Sequence, residues 1–477
     1  MNMGFFQRLS ELQTKSKKYK DNASKEDFME LNSGGQLPES IAGPDYEKKI
    51  RLWTEIYCGR APWLEDRSAG LNLASAVASE ISRLVTSELK ISVSGSERAE
   101  FISGVLNETL LPKLRVYTEY ACACGGIMFK PVFDEGRIAV DVMLPDSFIP
   151  TQKDGGGNIT GACFIERIEK GDKLYTRAEQ HTPKDGGYLI TNKAFVSSRY
   201  DKALKGIPVA SVPEWKSIRP VTFIENLDGP LFSYFAIPLG NTENIASPLG
   251  VSVFARAVPM LYQADRQFGR LVWEFEGGEL AVDASEDAFK IGRDGNPILP
   301  FGKERLFRPN NLDSASSDGD LFKVFSPELR DQSLLNGLNR MIMSVEDLTG
   351  IARGTFSDPD SVAKTATEIK SMKQRTYSTV NDIQRSLREA ICRLVSSIDD
   401  MASLYRLSPE GKADLLIDFG DSVLTDRDAE KVSDLEEVKC GVMTPEEFRA
   451  KWHGNLSPGM SRDLCGSSKN LIESERK

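Results

Sequence analysis

Apolar residues recur at two different periods along this 477-residue chain, and the places where the period changes divide it. Ile369, Met372, Thr376, Val380, Ile383, Leu387, Ile391, Leu394, Ile398, Met401 and Tyr405 step by three and four. That is one face of a helix held for about thirty-seven residues, roughly 55 Å at 1.5 Å per residue. Such a rod exceeds what the core of an ordinary domain needs. It predicts a subunit packed beside copies of itself, through Ile369, Val380, Ile383, Leu387, Ile391 and Leu394. Just before it, Gly, Ser, Pro and Asp crowd residues Ile351 to Asp360, which read as a loop at the rod's tip, placed where something passes or docks.

The rest of the chain reads as alternating blocks. Residues 1–44 form an arm in which Phe5, Leu9 and Leu12 share a helical face ahead of Lys15, Lys17, Lys18 and Lys20. Three apolar residues are too few for a membrane-surface helix, so this face is expected on its own protein. Tyr46, Ile50, Trp53 and Tyr57 mark a helix that stops near Gly59, and Leu71 to Val85 carry a second stripe within Ser68–Leu89. Phe101, Val105 and Leu110 make a third, cut at Pro112, and Leu114 to Cys124 a fourth. At Gly125-Gly126 the period drops to two. Residues 127–132, 138–143, 161–168, 173–181 and 188–195 read as strands of a largely antiparallel sheet, with Gly- and Asp-rich turns at 134–136, 154–158 and 184–187.

Ser247-Pro248 then opens a helix that runs to about Glu276, Ser as N-cap and Pro as first helical residue, with Pro259 expected to kink it or mark a break. Residues 277–325 return to short strands and loops, including the turn Arg293 to Pro297 and the polar run Asp313 to Asp320. Ser326-Pro327 repeats the cap and leads a helix through Leu334, Leu338, Met341, Ile342, Val345 and Leu348 to Gly350. Smaller helices follow Leu407, one over Thr444 to Trp452, with a polar tail from Ser457.

Composition narrows the function classes. The chain is 40% apolar and 27% charged, enough for several structural units, and no run of eighteen apolar residues spans a membrane. No secretory signal is visible, and seven scattered cysteines make no disulfide framework, so a reduced cytosolic setting is expected. The net charge of −10 opposes tight binding to DNA and does not argue against a surface past which DNA slides; composition alone does not choose between these. Two histidines, His181 and His453, starve most acid–base schemes and zinc sites. Cys122-Ala123-Cys124 reads as buried helical thiols, and Glu179 and His181 share one face of a strand as a structural pair. Gly155-Gly156-Gly157 is a turn, since no Lys-Ser/Thr follows it. Asp421, Asp426 and Asp428 form the nearest thing to a divalent-metal cluster, without the Lys of the usual nuclease pattern. No catalytic residue, metal site or cofactor is expected.

In this setting the chain resembles the portal proteins of tailed double-stranded DNA bacteriophages, in the subgroup typical of long non-contractile tails. The residues that carry the resemblance run from Tyr46 to Trp452 in order. The strongest are Phe325 to Arg330, Val345 to Gly350, Gly354-Thr355-Phe356-Ser357 and Lys364-Thr365-Ala366-Thr367-Glu368-Ile369. Weaker support lies at Ile50 to Trp53, Pro62-Trp63, Gly125-Gly126, Glu179-Gln180-His181, Pro248 to Ser252 and Phe419 to Ser422.

The resemblance implies an α+β portal fold assembled as a ring. Residues 45–246 would be an α/β wing, 247–276 and 326–349 a two-helix stem, and 277–325 a small β-rich clip. Residues 350–360 would be a tunnel loop, 361–406 the long helix, and 407–477 a helical crown and tail. Arg353, Gly354, Thr355, Phe356, Ser357 and Asp358 would face DNA, with Arg353 either a local positive charge or one half of a salt bridge between subunits, and Phe356 a loop anchor. Twelve copies would sit at one capsid vertex, assembled in the host cytoplasm with scaffolding and major capsid proteins. Double-stranded DNA would pass without sequence specificity, the terminase large subunit would dock on the clip, and a head-completion adaptor would later replace it. Two departures stand out: Pro259 within the first stem helix, and Phe419-Gly420-Asp421 where an acidic pair is common. A scaffolding protein that oligomerises through the long helix, and a nuclease built on Asp421, Asp426 and Asp428, are the competing readings.

Overall fold

The computed structural model describes residues 37–64, 70–134, 136–198, 204–227, 229–285, 289–291, 297–298, 306–310, 322–358, 366–420, 427–440 and 442–453. The arm with Phe5, Leu9 and Leu12 lies outside them, as do the runs at 293–296 and 313–320, the loop end at Pro359-Asp360 and the tail from Ser457. The chain divides into a unit that ends at Ile417 and a second from Asp418.

The first unit opens with α1 (Pro44–Tyr57), whose Trp53 is buried edge-on against Tyr46. Then come α2 (Leu73–Thr86), β1 (Lys90–Ser94), α3 (Glu97–Thr109) and α4 (Leu114–Cys124). Ser96 caps α3 by accepting from the Ala99 amide, and Gly125 ends α4 at φ +91°, in the left-handed region. The antiparallel strands follow where the period changes: β2 (Gly126–Asp134) pairs with β3 (Arg137–Met143) and with β10 (Ser233–Ala236). The larger sheet joins β4 (Phe148–Lys153), β5 (Ile159–Lys170), β6 (Lys173–Lys184), β7 (Gly187–Ser198) and β8 (Lys205–Ile207), with β9 (Val221–Glu225) on β7.

Two motifs far apart in sequence meet at Gly125. A Cβ there would stand 2.4 Å from the Gly250 carbonyl oxygen, and one on Gly250 would stand 2.2 Å from that of Gly125. Tyr46 Oη donates to the Gly250 carbonyl, and the Val253 amide donates to the Cys122 carbonyl at 2.9 Å. This backbone-to-backbone docking corrects the expectation that Ser247-Pro248 opens a helix. Residues 247–254 are held non-helical by α4 and β10, and the helix α5 is Val258–Gly277. Pro259 therefore falls in the first turn of α5, where its missing N–H has no helical partner to lose, and marks the break before the helix rather than a kink within it. Likewise Ser326-Pro327 is coil, and α6 is Asp331–Thr349.

α7 (Ala366–Tyr405) is the long rod, 40 residues or roughly 60 Å. Val380, Ile383, Leu387, Ile391 and Leu394 are buried within the single chain, as are Ile398 and Met401. They lie against β10, β2, α2 and α3. Ser386 and Ser397 donate to carbonyls of Ala236 and Pro230, and Ala390 accepts from Ser233. The buried Arg98 closes the far end by donating to the carbonyls of Asp399, Ser408 and Pro409. The stripe expected to pack one subunit on another is thus the chain's own core, because side chains already sealed from water have no face left for a neighbour. Ile369 is in α7, but its side chain lies outside the described residues. β16 (Asp414–Asp418) pairs with β1.

The second unit contains α8 (Arg427–Cys440) and α9 (Pro445–His453). Trp452 Nε1 donates to the buried Asp434 at 2.8 Å, and Thr444 and Glu447 form a reciprocal cap.

Candidate functional site

The loop between α6 and α7 is built by the last turns of α6. Gly350 leaves the helix at φ +76°, with its amide and that of Ile351 both donating to the Glu346 carbonyl. A Cβ on Gly350 would stand 2.5 Å from Thr379 Oγ1, so only glycine lets the chain turn this close to α7. Ile351 is buried, and the Ala352 amide donates to Thr376 Oγ1 at 2.8 Å.

The centre of the loop is a side chain that the sequence did not single out. Glu346 is fully buried and accepts four hydrogen bonds. The amides of Phe356 and Ser357 donate to Oε1 at 2.6 and 3.0 Å, while the Gly354 amide and Ser357 Oγ donate to Oε2 at 3.2 and 2.7 Å. Burying a carboxylate is tolerable only with such pairing, and charge-assisted bonds are the strong ones. Two helical turns earlier on α6, Asn339 clips the loop's end: the Asp358 amide donates to Oδ1 at 2.9 Å, and Nδ2 donates to the Asp358 carbonyl at 3.2 Å. A pair seven residues apart on one helix face, followed by a Gly- and Ser-rich loop, was the available signal.

Arg353, Gly354, Thr355 and Asp358 are exposed and Phe356 is half-buried, as an outward loop edge requires. Ser357 is buried against Glu346, which removes it from the set expected to face outward. Arg353 has a partner in its own chain, donating to Asp347 at 2.6 Å, and Arg375 reaches the same carboxylate at 3.5 Å. The expectation of a salt bridge to another subunit did not foresee this pairing.

The stem region is an antiparallel pair. Glu274 near the end of α5 accepts from Arg330 just ahead of α6, and Gln267 donates to the Leu334 carbonyl. Arg330 holds the Glu274 carboxyl down at about 2. Ala264, Leu271 and Leu338 form the shared core. Between the helices, β11 (Ala281–Ser285) runs parallel to β14 (Phe307–Asn310) and antiparallel to β15 (Phe322–Phe325), and β12 (Lys290–Ile291) pairs with β13 (Pro297–Ile298). This region exposes Trp273 (65%), Phe275, Leu280, Val324, Phe325 and Leu329.

The remaining sequence candidates are structural. Glu179 is buried with Lys130 at 2.7 Å, Arg177 at 2.9 Å and His181 at 2.7 Å. Burial alone would raise its carboxyl, but these partners hold it well below the usual carboxylate range. His181 is pushed down by its own burial. Cys122 and Cys124 are buried thiols pushed up by the same cause. Among the described residues no group of three or more His, Cys, Asp or Glu could hold a metal ion. Asp421 and Asp426 lie outside the described residues, as does the Asp428 side chain. No described helix is long and apolar enough to cross a membrane.

Among solved structures, a chain from the neck of a native GTA particle computed with C12 symmetry is similar over 88% of this chain and 96% of its own, at 11% identity and a TM-score of 0.40. No curated protein matches the chain. Residues 46–457 match the model of the family described as phage portal protein, SPP1 Gp6-like. Over that span the chain belongs to this family of phage portal proteins.

Proposed function

We propose that the chain closes into a ring of twelve at one capsid vertex and serves, without catalysis, as the conduit for double-stranded DNA during packaging and ejection. In this reading it belongs with portals of long non-contractile-tailed phages. It assembles in the host cytoplasm with scaffolding and major capsid proteins, and its clip docks the terminase large subunit and later a head-completion adaptor. The proposed layout keeps the wing at 45–246 and the clip at 277–325. The helical part of the first stem begins at Val258, and the tunnel loop hangs between α6 and α7. Asp421 to Asp428 take no part.

The observation that carries the ring is the apolar surface of the stem and clip. A side chain as large as Trp273 at 65% exposure, beside Phe275, Leu280 and Leu329, is a surface that needs a partner. It also favours a portal over a scaffold that associates through α7, since the α7 stripe is already buried. A net charge of −10 repels phosphate only within roughly 8–10 Å, so DNA passes a wall of such chains without sticking.

Particle mass with negative-stain imaging tests the proposal. Twelve chains of 52.8 kDa make a particle of about 0.63 MDa, expected with a central hole. A solid rod of any mass, or a chain that stays monomeric even with its scaffold and capsid proteins, would overturn it. Replacing the exposed Arg353 and Thr355 with alanine, which leaves the donors to Glu346 in place, is expected to leave the ring and impair DNA packaging or retention; unchanged packaging and retention would remove the tunnel-loop assignment.

A further inference from the structure

We infer that Glu346 is the positioning residue of the α6–α7 loop: its buried carboxylate holds residues 351–358 as one preformed turn that moves only together with the end of α6. The inference rests on the conduit reading for what the loop meets, whereas the latch stands on geometry alone. Four donors converge on this one side chain, and three of them are backbone amides of the loop. Its chain neighbour Asp347 holds Arg353 on the exposed side, so the same helical turn fixes both the inner and the outer edge of the loop. Asn339 closes the far end, and Thr376 anchors the near end to α7. Thr376 itself begins the buried stripe of α7 that continues through Val380 and Ile383. A loop tied in this way presents Arg353, Gly354 and Thr355 as a rigid edge. Displacing it means either breaking the bonds to Glu346 or shifting α6 with it.

The Arg353–Gly354 peptide bond makes this measurable, because Arg353 is a trypsin site. The Gly354 amide donates to Glu346 Oε2 and to Ser357 Oγ, so a protease can thread the bond only after the loop opens. The full chain is digested as wild type, Glu346→Ala, Glu346→Gln and Ser357→Ala, and mass spectrometry follows the fragment that ends at Arg353. Glu346→Ala is expected to raise its rate of appearance by at least about tenfold, since several charge-assisted bonds go together. Glu346→Gln falls between, because the amide keeps one oxygen for Phe356 and Ser357 but turns a donor toward Gly354. Ser357→Ala loses its bond to the carboxylate and the one from the Gly354 amide but keeps three amide donors on Glu346, and gives a smaller rise than Glu346→Ala. Cleavage at Lys170 and Lys173 in the exposed β5–β6 turn serves as the internal reference. Equal rates at Arg353 in wild type and both Glu346 variants would overturn the inference. So would a uniform rise at Arg353 and at the reference sites, which would make Glu346 a prop of the whole fold. The digest reads the latch in a monomer as well as in a ring, so a failed ring proposal and a failed latch give different results. Where the ring forms, DNA retained per particle is expected to fall for Glu346→Ala and to be partly restored by Glu346→Gln.

Discussion

Replacing Leu387 with alanine tests whether the long helix is core or interface. Leu387 sits midway along α7, fully buried between Ile383 and Ile391 on the stripe that faces β10 and β2. The substitution removes three buried carbons, about 2.4 kcal/mol of transfer free energy at about 0.8 kcal/mol each. With the cavity left behind, the loss is about 2–5 kcal/mol. The unit that ends at Ile417 has roughly 400 residues, hence a melting entropy of about 0.8 kcal/mol per kelvin. A loss of about 3 kcal/mol therefore lowers its Tm by about 4 °C. Differential scanning fluorimetry at two protein concentrations a hundredfold apart (order of magnitude) separates the two placements, because only a contact between subunits obeys mass action. A shift equal at both concentrations is expected, and Leu144→Ala in the exposed β3–β4 turn should change little. A shift that grows on dilution, with particle mass lost before the chain melts, would return the stripe to the subunit interface and refute the reasoning.

Two further outcomes follow from the geometry. Gly125→Ala meets both a φ of +91° and the Gly250 carbonyl at 2.4 Å, so soluble yield and Tm should fall sharply; a normal Tm would mean that the α4–β2 junction is not held against residues 250–253. Glu274 has its carboxyl held at about 2 against an ordinary 4.5, so the clamp to Arg330 adds stability above pH 4.5 that is lost as pH falls toward 2. The Tm gap between wild type and Glu274→Gln should therefore be widest near neutrality and close near pH 2; a gap unchanged across that range would show that the pairing contributes nothing.

What was legible in the sequence was whatever a regular period encodes. The 3.6-residue repeat from Thr376 to Met401 marks a buried helical face, and the alternation in β2, β3 and β5–β7 marks a sheet, because in both cases one face meets the core. The same repeat carried no information on which surface covers it. Its pairing with β10 depends on contacts such as Ser386 to Ala236, which join residues 150 positions apart. Ser247-Pro248 and Ser326-Pro327 carry local helix-start chemistry, yet tertiary contacts decide otherwise. Gly250 must reach Gly125, and Leu329 packs so close to Gly278 that a Cβ there would stand 2.1 Å from its Cδ2. β4 was missed because Pro150 interrupts a short segment with no clear alternation.

The loop shows the same division more sharply. Its place and its exposed edge follow from Gly350, Gly354 and the polar residues Arg353, Thr355 and Asp358, but its rigidity comes from Glu346, which is not on the apolar stripe of α6. A buried acid is visible only once its donors are, and three of the four are backbone amides, the same in every sequence. The consequence for charge is also local. Arg353 and Arg375 share one carboxylate, Asp347, which gathers positive charge at this spot. Screening confines that charge to roughly 8–10 Å. In the proposed ring, a passing phosphate backbone would meet Arg353 at the loop edge. A flexible loop would smear that contact; one latched by Glu346 keeps it at a fixed distance from the end of α6.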